Sequence, residues 1–349
     1  MDELKLEGRK RAVLLEVVNH YIQKAEPVGS RSISKKLLER LSPATIRNVM
    51  SDLEEMGYLQ QPHTSAGRVP TDQGYRFYVD QLLRPPNFLK EAQILTDAAK
   101  YDPKNPNLHE VLEKACTRLS QVSHQTGLVM LPPFSNMLFK HIEFVKVGSR
   151  AALAVFFSDW GVLQNKIIPV EKELTQDQLT SISRYLNEEF SGKSIKGIRD
   201  ELLHRLKHER EHYNQLMKKA MDLSTRLFVE EHESDSLLVE GALNLLDKPD
   251  FTADLDKIKV LLKTLEEKTK LVKLLDLCLQ HDGMTILIGE ENLNEEMRGC
   301  SLIAQNYRKD NEKMGTVAIF GPKRMDYKKI ISIVNQTAKT VSNLISEKK

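Results

Sequence analysis

The segment 42–76 constrains the fold of this chain more than any other stretch. Ser42 can cap a helix, and Pro43 suits the first helical position, where the missing N–H of proline leaves no hydrogen bond unmade. Apolar residues then recur at helical spacing until Gly57 ends the pattern. The pattern predicts a helix from Pro43 with one buried face, formed by Ile46, Val49, Met50, Leu53 and Met56.

The opposite face of this helix carries short, polar or cationic side chains near its N-terminus. Small side chains let a helix backbone approach DNA closely, and Arg and Asn can pair bidentately with guanine and adenine edges in the major groove. A merely solvated face of a small helical domain is the simpler alternative. The candidates for DNA contacts on this face are Ala44, Thr45, Arg47, Asn48 and Ser51.

The flanking segments complete a known order of elements. Helices are predicted over 7–25 and 30–41, and a tight turn at 41–43 joins them to the helix described above. A short strand then leads to a Ser/Gly-rich tip at 63–67 and back through Arg68. This order is the winged helix-turn-helix plan: two helices, a tight turn, a third helix and a two-stranded wing. In that plan the third helix enters the major groove.

Roles within this plan follow from chemistry. We expect Arg47 and Asn48 to contact base edges, and Thr45 and Ser51 to reach bases or phosphates. Ser42 is expected to donate to a phosphate near the helix start. Three wing residues are expected to reach the minor groove or the flanking backbone: His63, Ser65 and Arg68.

Charge is distributed unevenly along the chain, although the net charge is only +2. Between residues 9 and 47 the anions are Glu16, Glu26 and Glu39, while the cations are Arg9, Lys10, Arg11, Lys24, Arg31, Lys35, Lys36, Arg40 and Arg47. Phosphate contacts from such side chains supply affinity and register. We therefore expect a local basic surface for double-stranded DNA, to which Arg31 contributes.

Composition narrows the class of protein. Of the 349 residues, 40% are hydrophobic and 29% are charged, which is typical of a globular protein. The first residues lack the apolar core of a signal peptide. The longest stretch without Asp, Glu, Lys or Arg, 119–139, contains two prolines and several polar residues, so no membrane span is expected. Three scattered cysteines are typical of a reducing cytoplasm, and each is expected to be a buried or partly buried thiol.

The remaining chain divides into segments of different periodicity. One further helix follows Thr71, and a Pro-rich break at 84–87 ends the first domain at residue 86, before a linker over 87–107. Two separated groups of β-rich runs then predict one α+β domain, 108–169 with 236–349, interrupted by a largely helical insertion, 170–235. The runs are 126–131, 141–147, 151–157 and 162–170, then 284–288, 301–307 and 316–320, and a helix over 326–346 closes the chain.

The predicted insertion contains a heptad-like apolar seam. A helix with such a seam and charged flanks needs a partner helix, either from the same chain or from a second copy. One candidate partner is a single later helix predicted over 255–279. We expect dimerisation through this region, and its candidate contacts are Leu206, Tyr213, Leu216, Ala220, Leu223 and Leu227.

One motif suggests a different chemistry. His208, Glu209 and His212 match the HExxH pattern, in which two histidines hold zinc and the glutamate activates water. The two variable positions are charged, however, and no third ligand is apparent, so a solvated helix face is the better interpretation. P-loop, GxSxG and CxxC motifs are missing, as is a GxGxxG after a strand. The chain is therefore not expected to be an enzyme or to hold a metal or cofactor.

The run 28–80, which begins VGSRSISKKL and ends GRVPTDQGYRFYVD, resembles the N-terminal domain of the HrcA family of bacterial heat-inducible transcription repressors. Later blocks at 239–251 (VEGALNLLDKPDF), 287–292 (LIGEEN) and 315–334 (GTVAIFGPKRMDYKKIISIV) resemble that family too. The likeness covers most of the chain and is weakest over 174–236.

The resemblance implies an α+β multidomain chain: a winged helix-turn-helix, then a GAF-like α+β domain interrupted by an inserted dimerisation domain. It implies a cytoplasmic, nucleoid-associated homodimer that represses chaperone operons by binding their inverted-repeat operator, the CIRCE element. It also implies that the chaperonin supports the active repressor. A winged-helix module that binds protein, or a zinc-dependent hydrolase acting through His208, Glu209 and His212, remains the alternative.

Overall fold

The structure is a computed structural model. It describes residues 6, 8–37, 41–64, 66–84, 108–132, 137–158, 163–170, 173–208, 220, 223–224, 236–252 and 255–346. The linker predicted over 87–107 lies outside these residues. No helix in this part of the chain is both long and apolar enough to cross a membrane.

The first domain, which we call the head (residues 6–84), has the winged helix-turn-helix fold predicted from sequence. Its elements are α1 (Gly8–Lys24), α2 (Ser30–Ser34), α3 (Pro43–Glu55), β1 (Leu59–Gln60), β2 (Val69–Pro70) and α4 (Asp72–Leu83). The strands β1 and β2 pair antiparallel to form the wing. Apolar faces of α1 and α3 meet in one core, to which Val13, Val17, Ile46 and Leu53 contribute.

Helix α2 is shorter than predicted, ending at Ser34 instead of residue 41. The Ser34 hydroxyl donates to the carbonyl oxygen of Leu41 at 2.9 Å, so this side chain ties the end of α2 to the turn before α3. Serine competes for backbone groups in this way, which favours turns over continued helix.

The second domain begins with α5 (Leu108–Ser123) and β3 (Thr126–Met130), and the chain then leaves it to form an inserted domain. The insertion contains β4 (Phe139–Gly148), β5 (Ala151–Ser158), β6 (Leu163–Pro169), α6 (Gln176–Phe190) and α7 (Ile195–His208). Its three strands make a separate antiparallel sheet in the order β4-β5-β6.

This sheet was expected to belong to the GAF-like domain, with the insertion beginning at residue 170. Instead, the inward side chains of the strands, such as Phe144 and Phe156, share a core with Leu179 and Leu186 of α6. A strand joins whichever apolar surface buries its inner face, and that surface here is a helix of the insertion. We therefore propose that the inserted domain begins near Met137.

Helix α6 also covers the outer edge of β4. The Asn187 side chain accepts from the N–H of Ile142 at 2.8 Å and donates to its carbonyl oxygen at 3.0 Å. Ser183 accepts from the N–H of Phe144 at 3.0 Å. Backbone groups of an edge strand that would otherwise invite pairing with another chain are thus satisfied.

Two residues of the predicted dimer seam lie inside the insertion of a single chain. Ala220 and Leu223 are each 1% exposed and belong to the same core as Phe144. Because they are already buried, they offer no surface to a second copy, which differs from the expectation. The side chains of the other seam residues, Leu206, Tyr213, Leu216 and Leu227, lie outside the described part.

The chain returns to the second domain with β7 (Leu237–Glu240). It continues through α8 (Pro249–Thr252), α9 (Leu255–Glu266), α10 (Lys268–Gln280), β8 (Met284–Ile288), β9 (Cys300–Lys309), β10 (Glu312–Pro322) and α11 (Tyr327–Ser346). The five strands form one antiparallel sheet in the order β7-β3-β10-β9-β8. Helices α5 and α11 cover one face, and α9 and α10 cover the other, as a GAF-like fold requires.

Two details of this domain differ from the predicted elements. The predicted strands 301–307 and 316–320 leave residues 308–315 between them, but the connection is only a two-residue turn, in which Asp310 and Asn311 adopt φ values of 47° and 76°. Asp and Asn tolerate this left-handed conformation, which matches the twist of a hairpin. The single helix expected over 255–279 is divided at Glu267, whose ψ of 66° is not helical.

All three cysteines are buried and free, as predicted. The Cys116 thiol donates to the carbonyl oxygen of Gly127 at 3.4 Å. Burial raises the pKa of this thiol to about 12, so it stays protonated and acts as a small core residue.

Candidate nucleic-acid interface

The polar face of α3, which we call the reading face because it is predicted to contact DNA, is exposed from its first turn. Ala44, Arg47 and Asn48 are exposed, while Ile46 and Leu53 on the other side of the helix are fully buried. Because the buried side is locked in the core, the helix cannot rotate and its polar side stays outward. A cationic and an amide side chain are thus held where base edges can meet them.

Ser42 and Thr45 form a polar pair at the start of α3. The Ser42 hydroxyl oxygen accepts from the backbone N–H of Thr45 at 3.1 Å, and the two hydroxyl oxygens lie 2.9 Å apart. One hydroxyl donates to the other, which leaves the second hydrogen free for an outside acceptor. Together with the positive end of the helix dipole, this arrangement suits a phosphate. Ser51, one turn further than Arg47, is half-buried.

The cations predicted from sequence fall into two groups. Arg31, Lys35 and Arg47 are exposed, and none of them forms an ion pair within the described part of the chain. Lys10, in contrast, pairs with Asp52 at 3.0 Å. The cations of α2 and α3 are therefore available to phosphates, whereas some of the positive charge of α1 is neutralised inside the head. Arg40 lies outside the described residues.

Arg68 does not reach outward as expected. Its guanidinium pairs with the Glu54 carboxylate at 2.7 Å, and its side chain is only 20% exposed. Its backbone exchanges two hydrogen bonds with Val28, at 2.8 and 2.9 Å. Glu54 lies in the last turn of α3, and its carboxylate binds the Arg68 guanidinium of the wing. Arg68 thus braces the wing against the rest of the head.

The tip of the wing is shaped by a residue that the sequence patterns do not single out. The Gln61 side-chain amide donates to the carbonyl oxygens of Thr64 and Ala66, at 2.8 and 3.0 Å. His63 and Thr64 are exposed beside it, and Ser65 lies outside the described residues. The only sequence signal for this role of Gln61 was the presence of an amide side chain immediately before a Ser/Gly-rich tip.

Gly67 permits the close approach of the wing to Val28, and its replacement is expected to displace the wing. A Cβ atom at this position would lie 2.4 Å from the Val28 carbonyl oxygen, a backbone atom that cannot move aside alone. We expect Gly67→Ala to lower the free energy of unfolding of the head by about 1–3 kcal/mol. Chemical denaturation followed by circular dichroism measures this. Gly8→Ala is the control, since nothing lies within 4 Å of a Cβ there; equal loss in both variants would contradict the role of Gly67.

The zinc motif falls mostly outside the described residues. His208 ends α7, while Glu209 and His212 are not described. Among the residues that are described, no group of three or more His, Cys, Asp or Glu side chains is arranged to hold a metal ion.

A winged-helix head with an exposed Arg/Asn face, joined to a GAF-like domain, defines a DNA-binding transcription regulator. Two family models match the chain: the HrcA DNA-binding winged helix-turn-helix of transcription repressors over residues 5–81, and the HrcA C-terminal domain over residues 109–331. The chain therefore belongs to the HrcA family of heat-inducible transcription repressors.

Individual relatives agree over the full length. The heat-inducible transcription repressor HrcA of Geobacter sulfurreducens is 41% identical, over 97% of each chain. That of Desulforamulus reducens is 36% identical, over 98% of each chain. A crystal structure of a protein described as hypothetical is 25% identical, with a TM-score of 0.70 over 99% of this chain and 100% of that one.

Proposed function

We propose that this protein is a homodimeric repressor that binds the CIRCE inverted repeat upstream of chaperone operons. The observation that carries the proposal is the outward face of α3, where Ala44, Arg47 and Asn48 stand on a helix whose other face is locked in the core. Family membership supports the class of operator. Such a protein acts in the cytoplasm, at the nucleoid, and needs no cofactor or catalytic step.

In this function α3 enters the major groove. Arg47 pairs with the O6 and N7 acceptors of a guanine, and Asn48 pairs with N6 and N7 of an adenine. The methyl side chain of Ala44 lets the first turn of α3 approach the bases.

Phosphate contacts surround these base contacts and set the register of the head. Ser42 and Thr45 share one free hydroxyl hydrogen for a phosphate at the start of α3. Arg31 is exposed on α2 and is proposed to contact a further phosphate, and Ser51 is half-buried on α3. His63 at the wing tip is placed for the flanking backbone or the minor groove.

The dimer is proposed to form through the inserted domain. One face of its sheet packs on α6, and the other exposes apolar side chains, which we call the open sheet face: Val145 (37% exposed), Val147 (51%), Phe157 (40%) and Ile167 (64%). Leu153 pairs with Val145 on one side and Ile167 on the other, so these side chains adjoin. Contiguous apolar patches of this kind mark interaction sites, and a two-fold dimer matches an inverted repeat.

We also propose that the chaperonin supports the folded, active repressor and that heat diverts the chaperonin to other clients. The resemblance to the family supports this step. It is physically reasonable because a loss of about 1–2 kcal/mol of folding free energy changes the amount of active protein severalfold.

The test measures binding of the full chain to labelled duplexes that carry the intact inverted repeat or one scrambled half-site, with and without chaperonin. We expect tight binding to the intact repeat alone and a larger active fraction when chaperonin is present. Equal binding to both duplexes would leave only a non-specific basic surface. No binding to either would favour a head that recognises protein.

Salt is expected to weaken operator binding, because Lys and Arg release counterions from the phosphates. The logarithm of the binding constant should fall linearly with the logarithm of salt, by about 0.9 per phosphate contact. Arg31→Ala should reduce this slope by about 1. Lys259→Ala, which removes a cation of α9 that is paired with Asp256, is the control. Salt-insensitive binding would contradict the basic surface.

A further inference from the structure

A turn of the GAF-like domain reaches two helices of the head. This turn follows β10 and carries Lys323 and Arg324 in succession. The Lys323 ammonium pairs with the Asp72 carboxylate in the first turn of α4. Arg324 donates from Nη1 to the carbonyl oxygen of Ile22 at 3.2 Å, in the last turn of α1, where helix carbonyls lack partners of their own. Lys323 and Arg324 thus connect α4 and α1 of the head to the same turn of the GAF-like domain.

Arg324 is itself held in place before it reaches the head. Its Nε and Nη2 atoms donate to the two carboxylate oxygens of Asp250, at 3.0 and 2.8 Å. The side chain is only 15% exposed. A bidentate pair of this kind fixes the plane and direction of the guanidinium.

A second turn of the GAF-like domain, which follows β8, also contacts α4. Arg76 donates from Nε to Glu291 Oε1 at 2.8 Å, and its Nη2 contacts the other carboxylate oxygen. The same Nη2 donates to the carbonyl oxygen of Ile286 at 2.7 Å. The N–H of Glu290 donates to the Asp72 carboxylate at 3.0 Å. Both charged side chains on this part of α4 are therefore bound by the GAF-like domain.

The approach of this second turn to α4 is so close that it requires glycine. Gly289 has a φ of +56°, and a Cβ atom there would lie 1.8 Å from an Asp72 carboxylate oxygen. A side chain at this position would displace the Asp72 carboxylate from its contacts with the GAF-like domain, and the positive φ is itself unfavourable for residues other than glycine.

Beneath these polar contacts the two domains share buried rings. Tyr75 of α4 and Tyr327 of α11 lie with ring centroids 5.9 Å apart, and they are 3% and 0% exposed. The Tyr327 hydroxyl lies 2.9 Å from the Ser301 hydroxyl and donates to the carbonyl oxygen of Lys323 at 2.7 Å. Polar and apolar contacts together leave the head little freedom to rotate.

We propose that these residues, which we call the head clamp (Asp72, Arg76, Glu291, Lys323 and Arg324), are positioning residues that set the angle of the head and so the operator spacing a dimer accepts. The inference rests on the proposed function. Half-sites must lie about one helical turn, or a multiple of it, apart for both α3 helices to enter the major groove on the same side of the DNA, so a freely rotating head would lose this selectivity. The clamp acts from α4, α1 and the GAF-like domain, and it leaves the outward face of α3 unchanged.

The test compares the double variant Arg76→Ala and Lys323→Ala with the matched double variant Lys259→Ala and Arg298→Ala. The control also removes two paired cations, but its pairs are confined to the GAF-like domain. Binding of the full chain is measured for three duplexes: the native repeat, a repeat with about 5 base pairs added between half-sites, which is half a helical turn, and a single half-site.

We expect the wild-type chain and the control to prefer the native spacing by about tenfold or more, and the clamp variant to prefer it by no more than about threefold. Binding to the single half-site should stay within twofold in all three, which shows that the head is folded. An unchanged spacing preference in the clamp variant would overturn the proposal. Tighter binding of that variant to the native repeat would also overturn it, since the clamp would then hold the head in an unproductive orientation.

Two further measurements separate the possible failures. Gly289→Ala should reproduce the loss of spacing preference without removing a charge. Amide hydrogen exchange at Glu290 should accelerate in Asp72→Ala, because the carboxylate that protects this N–H is gone; unchanged exchange would contradict the clamp itself. If the wild-type chain binds no duplex specifically, the proposed function fails. If the wild-type chain binds the native repeat specifically and the clamp variant keeps the same spacing preference, the proposed function stands and the clamp proposal fails.

Discussion

Replacing Arg47 with alanine is expected to weaken binding to the intact operator by about 10- to 100-fold, since a bidentate base contact contributes about 1–3 kcal/mol of discrimination. Asn48→Ala is expected to have an effect of the same size at a neighbouring base. Both side chains are exposed, so neither substitution removes a core contact. Titration of labelled duplexes with the intact repeat measures the loss, and scrambled DNA should be bound almost as before.

Arg298→Ala is the control for the lost charge, because Arg298 is half-exposed on the GAF-like domain and pairs with Glu295. Circular dichroism and gel filtration must show that the variants keep their fold and oligomeric state. If Arg47→Ala and Asn48→Ala both bind the operator as tightly as the wild-type chain does, α3 is not the reading helix.

Placing a carboxylate on the open sheet face is expected to have the second large effect. Ile167→Asp puts a charge at a position that is 64% exposed in the single chain and that we propose is covered by a second copy. Burial of an unpaired carboxylate is strongly unfavourable, so the dimer should dissociate. Loss of the second linked head should then weaken operator binding by about 100-fold or more.

Analytical ultracentrifugation measures the first effect and duplex titration the second. Leu293→Asp is the matched control, because Leu293 is 70% exposed on the GAF-like domain and does not belong to the inserted sheet. A variant that stays dimeric after Ile167→Asp would show that the copies meet elsewhere. A monomer that still binds the repeat tightly would contradict the link between dimer and operator.

Helix α3 was predicted almost residue by residue because its signals are local. Ser42 caps α3 and Pro43 begins it, as the sequence indicates. The same holds for Thr71, whose hydroxyl accepts from the N–H of Gly74 at the start of α4. Such signals act within one turn of helix, so they operate whatever the rest of the chain does.

The role of Arg68 could not be predicted in the same way. A cation in a basic wing favours a DNA contact, yet Glu54, from the end of α3, pairs with it. The two residues are 14 positions apart, and only the path of the wing brings them together. Ala220 and Leu223 show the same limit, because a heptad-like seam does not reveal whether its partner is the same chain or another.

The sequence by itself determined the winged helix, the exposed Arg47–Asn48 face and the α+β character of the rest. These depend on caps, turn residues and apolar periodicity, which act over a few residues. Only the tertiary structure decided that β4–β6 join the inserted domain and that Asp72 meets Lys323, 251 positions along the chain. Apolar burial and charge pairing stabilise any two complementary surfaces that the fold brings together. A local sequence pattern therefore does not predict which two surfaces will be in contact.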